Sequence, residues 1–146
     1  MRKLATLLCL CVLLLTPATP SHAFQKATVV PDLPLVITLG MEAYRQSGAG
    51  EAIKAWLKDS PLQSTRDSLK EVNNLHSVES YYGAFQNYDV LSVKDLSPRT
   101  RIVFVVMNYE RGPLFGRFVA YRAQGEWILT NFEFNTDERQ VLEVFP

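Results

Sequence analysis

Few side chains in this sequence carry reactivity, and their spacing narrows the chemistry open to it. His76 is the one histidine beyond residue 23, and Cys9 and Cys11 are the only cysteines. A Ser/His/Asp triad would have to run through His76, yet no Gly-x-Ser-x-Gly turn accompanies it. There is no His-Glu-x-x-His, no Asp-x-Asp-x-Asp-Gly loop and no close trio of carboxylates and histidines, so no metal is expected. Gly48-Ala49-Gly50 lacks the preceding strand that a phosphate cradle needs. What remains is cofactor-free proton transfer. Glu133 would be a carboxylate base and Tyr109 or Tyr121 the acid that polarises a carbonyl, enough for isomerisation or dehydration. Arg117 nearby would lower the pKa of Glu133 and oppose that role.

The elements that must hold these residues follow from hydrophobic period. After Gly83 the period is two, which places strands near Phe85–Leu96, Arg101–Tyr109, Leu114–Arg122 and Trp127–Asn135. Connections as short as these force antiparallel neighbours and hence a meander. A three-residue turn at Ala123-Gln124-Gly125 sets Arg122 opposite Glu126. A four-residue turn at Glu110–Pro113 sets Tyr109 opposite Leu114. One face then gathers Val103, Val105, Met107, Leu114, Phe118, Ala120, Ile128, Phe132 and Phe134, a core face. The other gathers Ile102, Phe104, Val106, Val119 and Leu129 around Asn108, Phe115, Arg117, Tyr121, Trp127, Asn131 and Glu133. This second set has two physical readings. In the first it forms a ligand-binding mouth, with Arg117 and Glu133 as diagonal neighbours and Asn108 and Asn131 orienting a small ligand among Phe115, Tyr121 and Trp127. In the second it is an outer face, its ion pair is an ordinary cross-strand contact, and its aromatics meet a second copy.

Before Gly83 the period is helical. Leu35, Val36, Leu39, Ala43 and Tyr44 recur along a segment ending near Gln46, closed by Ser47-Gly48-Ala49-Gly50. Glu51–Lys58 places Ile53, Trp56 and Leu57 on one side. Ser60-Pro61-Leu62-Gln63 reads as an N-cap, a first-turn proline and a capping-box glutamine. A helix is expected from there to about Tyr82, with Leu62, Leu69, Val72, Leu75 and Val78 inward and Gly83 as its stop. Asn135-Thr136-Asp137-Glu138 resembles a further helix cap with acids in the first turn. Helices followed by strands, with no linker between them, read as one α+β domain over Phe24–Pro146.

Residues 1–23 read differently. Arg2 and Lys3 precede Leu4–Leu15, which is apolar almost throughout, and Thr16–Ala23 is a small-residue region fit for cleavage after Ala23. A helix over Leu4–Leu15 rises about 18 Å, too little for a hydrocarbon core of about 30 Å. A cleaved signal peptide and a secreted or periplasmic product are therefore expected. Both cysteines would leave with the signal, which removes thiol catalysis and disulfides from the product. The absence of any Asn-x-Ser/Thr acceptor fits a bacterial periplasm better than a glycosylating pathway. Basic and acidic residues number 15 each and are evenly spread, without the clustered cationic excess of a nucleic-acid surface. No basic amphipathic stretch points to membrane docking after cleavage.

The order of elements carries a resemblance. The helices ending at Tyr81-Tyr82-Gly83, the hairpin pair over Arg101–Trp127, and the Gly-x-Trp-x-Leu run that opens Trp127–Asn135 resemble the NTF2-like (cystatin-related) α+β superfamily. That resemblance implies N-terminal helices on a curved four-stranded antiparallel sheet forming a cone, and homodimers made through the sheet. It spans isomerases, dehydratases, polyketide cyclases and binding subunits, so chemistry has to come from the site. The expectation is an exported, non-enzymatic, cofactor-free domain that binds a small apolar ligand or an envelope protein. The alternative is the Glu133-based isomerase or dehydratase.

Overall fold

In a computed structural model of the chain, residues 32–63 and 66–142 are described. The expected signal peptide, its cleavage point and the lead as far as Pro31 lie outside these residues, as does the side chain of Leu69. The elements run α1 (Leu35–Ser47), α2 (Ala49–Trp56), α3 (Arg66–Tyr82), β1 (Phe85–Ser97), β2 (Thr100–Tyr109), β3 (Pro113–Ala123), β4 (Glu126–Asn135) and α4 (Glu138–Leu142). The four strands form one antiparallel sheet in the order β1-β2-β3-β4, an α+β composition with the expected meander.

Packing on one face of the sheet is organised by Trp56, whose side chain is 0% exposed. Its ring centre lies 5.2 Å from that of Phe118 and 5.6 Å from that of Phe134, and its Nε1 donates to the carbonyl of Ile37 at 3.2 Å. The indole reaches the α1 backbone because residue 40 is glycine: a Cβ there would stand 1.9 Å from Nε1. This contact sets the roll of α1. Val36, Ile37, Gly40, Met41 and Tyr44 are buried, while Leu35 and Leu39, which share the helical apolar spacing, face out. Leu75 of α3 is buried in the same core, with Val72 and Val78 packed against it.

Ser60 does not cap a helix as expected. Its hydroxyl donates to the carbonyl of Leu129 at 2.6 Å and accepts from the amide of Leu62, and no helix follows it over 61–63. Committing the hydroxyl to β4 pins the α2–α3 connection to the sheet and leaves residues 61–63 as a turn. Gly83 ends α3 as expected. Its φ of 86° is left-handed, its amide donates to the carbonyl of Glu79, and the amide of Arg111 satisfies the carbonyl of Tyr82.

Strand register departs from expectation at both hairpins, with different consequences. Between β2 and β3, Met107 faces Leu114, a slip of two residues that leaves every side chain on its expected face. Between β3 and β4, the turn has two residues, Gln124 and Gly125, both at positive φ, so Ala123 pairs with Glu126. An irregularity then skips Thr130, after which Arg117 faces Glu133 directly. Between turn and irregularity the register is odd relative to expectation. Trp127 and Leu129 therefore join the helix-covered core and Ile128 turns outward, reversing the expected sides. On the opposite face, Val141 of α4 closes over Ile102 and Phe104, with Phe115 and Val119 against them. β1 loses register with β2 at Gln86, Leu91 and Leu96.

Gly40→Ala separates two effects of opposite sign. In a free helix alanine would stabilise by about 1 kcal/mol. Here the methyl would displace Trp56 and cost roughly 1–3 kcal/mol. The expected outcome is a lower urea midpoint with red-shifted tryptophan emission; a midpoint raised above wild type would refute the contact.

Candidate functional site

The expected polar cluster does not converge. Arg117 and Glu133 do meet: Nη2 donates to Oε2 at 2.7 Å, with side-chain exposures of 14% and 42%. The Nε of Arg117 is buried and has no partner. Asn108 turns instead towards β1, donating to Asn87 Oδ1 at 2.7 Å and Asp89 Oδ2 at 2.8 Å. Asn131 is exposed opposite Val119. Phe115 is held in the small α4 cluster. Tyr121 pairs with Ile128 near the hairpin tip, beneath the Arg99 guanidinium at 4.9 Å. Four residues of strand separate Tyr121 from Arg117, a rise of about 13 Å. Trp127 stands on the other side of the sheet, for the register reason given above.

The two acids proposed for Glu133 are placed apart from it. Tyr109 is buried on the helix side, where its hydroxyl shares a 3.0 Å hydrogen bond with that of Tyr44. Burial pushes Tyr109 up to about 12, against the hydrogen bond from Tyr44 and with Glu79 adding to the rise. Burial first, then Tyr109 and Glu79, drive Tyr44 up as well. These phenols are neutral structural groups near pH 7. His76 is exposed and lies 3.3 Å from Glu79 Oε2, one turn along α3. Among the described residues, no group of three or more His, Cys, Asp and Glu side chains could hold a metal ion.

A different concavity is better formed. Between α1, the end of α2 and the β3–β4 hairpin lies a half-open groove of about 650 Å³. Its apolar lining includes Leu35, Val36, Leu39, Ala55 and Trp127, and Lys58, Asp59, Gln124 and Glu126 form its rim. Leu35 and Leu39 are 63% and 55% exposed. Asp59 and Gln124, at φ 59° and 51°, are the non-glycine residues at positive φ among those described, and both lie on this rim. Of the residues proposed from sequence, the groove contains only Trp127. Leu35 and Leu39 were hidden by an apolar spacing that fits an inward stripe equally well. The signal that could have found them is Gly40, since a glycine inside a helix marks the side of close approach.

Tyr44→Phe and Tyr109→Phe should each cost about 1–2 kcal/mol by orphaning the other hydroxyl, and the double variant less than their sum. Tyr109 ionises near 12 in the folded protein and near 10 ordinarily. The folded state therefore holds the proton more tightly, so the contribution is intact below pH 10 and is lost as pH climbs towards 12. Chemical denaturation across that window should show falling stability in wild type and a flatter profile in the double variant; equal slopes would exclude the pair as the cause. Glu133→Gln should change stability by no more than about 1 kcal/mol, because its carboxylate is half in solvent and the amide oxygen still accepts from Arg117. A loss several times larger on thermal unfolding would contradict a peripheral ion pair. No protein-family model, characterised relative or solved structure matches this chain.

Proposed function

We propose that this chain is an exported, non-enzymatic binding domain on an NTF2-like α+β scaffold that takes a small apolar ligand in the groove between α1 and the β3–β4 hairpin. One observation carries the reading: two leucines one helical turn apart stand largely exposed opposite Trp127, across a groove of about 650 Å³. That volume lies within the range of ligand sites, which combine an apolar lining with a few polar groups at the mouth. The scaffold assignment is supported by helices preceding an antiparallel meander whose first strand repeatedly breaks register. Export is supported by Arg2 and Lys3 ahead of the apolar run Leu4–Leu15.

The outer sheet face favours a second reading, docking of an envelope protein or a second copy, because Val106, Val119, Tyr121 and Ile128 are only half-buried there. The isomerase or dehydratase alternative has weaker support, since Glu133 is paired with Arg117 and Tyr109 lies across the sheet. Native mass spectrometry of protein purified from an exporting host separates the two binding readings, giving a monomer with retained mass or a bare dimer. Titration with the neutral apolar fluorophore N-phenyl-1-naphthylamine should then saturate at one site. Leu39→Lys should weaken it at least about tenfold with the unfolding midpoint unchanged. No retained mass together with no saturable binding overturns the proposal.

A further inference from the structure

The two walls of the groove belong to different parts of the fold, and one side chain joins the hairpin wall to the chain that leads into the other. Trp127 rises from β4, whereas Leu35 and Leu39 rise from α1. Arg101 of β2 lays its guanidinium 5.3 Å from the centre of the Trp127 ring. Its Nη1 donates to the carbonyl of Asp32, three residues ahead of α1. The remaining edge of the guanidinium is a fork onto Asp95 of β1, with Nε to Oδ1 at 2.6 Å and Nη2 to Oδ2 at 3.2 Å. Arg122 also lies over the Trp127 ring, at 5.5 Å, but its Nε reaches only the carbonyl of Gly125 in its own hairpin. Arg122 thus holds the hairpin wall alone, whereas Arg101 holds that wall and the chain three residues ahead of the α1 wall.

We infer that Arg101 is a positioning residue for the apolar groove, fixing its width and the attitude of the Trp127 ring through simultaneous contact with the hairpin wall and the chain leading into α1. The inference rests on the groove reading for its effect on binding. The chemistry suits arginine alone among cations. A planar guanidinium can lie over an indole while donating in its own plane to two acceptors on separate segments, and an ammonium cannot. With Arg101 held by Asp95 and its side chain only 17% exposed, both walls are referred to a fixed point in the sheet. The groove would then be set before a ligand arrives, which lowers the cost of binding.

The sequence has two tryptophans, and Trp56 is 0% exposed, so acrylamide quenching of the folded protein reports Trp127. Arg101→Met should roughly double that quenching and weaken N-phenyl-1-naphthylamine binding about tenfold. Arg101→Lys should restore neither, since it keeps charge but loses the plane. Asp95→Asn, at an exposed side chain, should move both readouts in the same direction by less and covers the case in which Arg101→Met does not fold. The fluorophore is uncharged, so loss of a cation does not by itself alter its binding. Unchanged quenching, or raised quenching with unchanged affinity, overturns the inference; so does full rescue by lysine. If wild type does not bind the fluorophore saturably, the groove reading fails. Quenching alone then decides whether Arg101 holds the walls.

Discussion

The contact between Trp56 and the backbone of α1 is the constraint on which the rest of the structure depends. An indole fully removed from water must place its N–H, and here the carbonyl of Ile37 receives it. That bond is possible only where the facing helix carries no side chain, so Gly40 and Trp56 determine each other. Once α1 is rolled to present Gly40, Met41 and Tyr44 must point at the sheet, and Tyr44 meets Tyr109. Leu35 and Leu39 are turned outward by the same rotation. The exposed leucines of the groove are therefore a by-product of the contact between Gly40 and Trp56.

Much of the architecture was legible because period is a property of the chain itself. The change from helical to alternating spacing at Gly83, the four strands and their meander order follow from residues near one another in sequence. The slip at the β2–β3 hairpin did no harm, because Met107 facing Leu114 and Tyr109 facing Leu114 keep the same sides. The roll of α1 was not legible. Apolar residues occur at 35, 36, 37, 39, 41, 43 and 44, so more than one stripe can be drawn, and the choice is made by Trp56, twelve residues beyond Tyr44. Ser60 likewise looks like a helix cap until Leu129, far away in sequence, claims its hydroxyl.

The candidate site was harder to read than the fold because it hangs on parity. A two-residue turn through Gln124 was hidden, since glutamine seldom takes left-handed backbone and only Gly125 advertised the hairpin. The skipped residue at Thr130 carries no glycine or proline to mark it. Together they restore the expected side for Glu133 and reverse it for Trp127. Arg117 and Glu133 were thus correctly brought together, while Trp127 was assigned to the wrong company. Arg101 went unnoticed because its partners, Asp32, Asp95 and Trp127, come from three separate segments.

The repeated loss of register along β1 has a consequence for how copies of this chain can meet. An outermost strand that presents regularly spaced amides and carbonyls acts as a template for any other strand of matching pitch. At Gln86, Leu91 and Leu96 the ladder is offset every fifth residue, so no run of pairing groups longer than four residues is in phase. Ser60 occupies a carbonyl of β4, the strand at the other end. The β1 rim is thereby a poor template for fibril-like growth, and on β4 the Leu129 carbonyl is already taken.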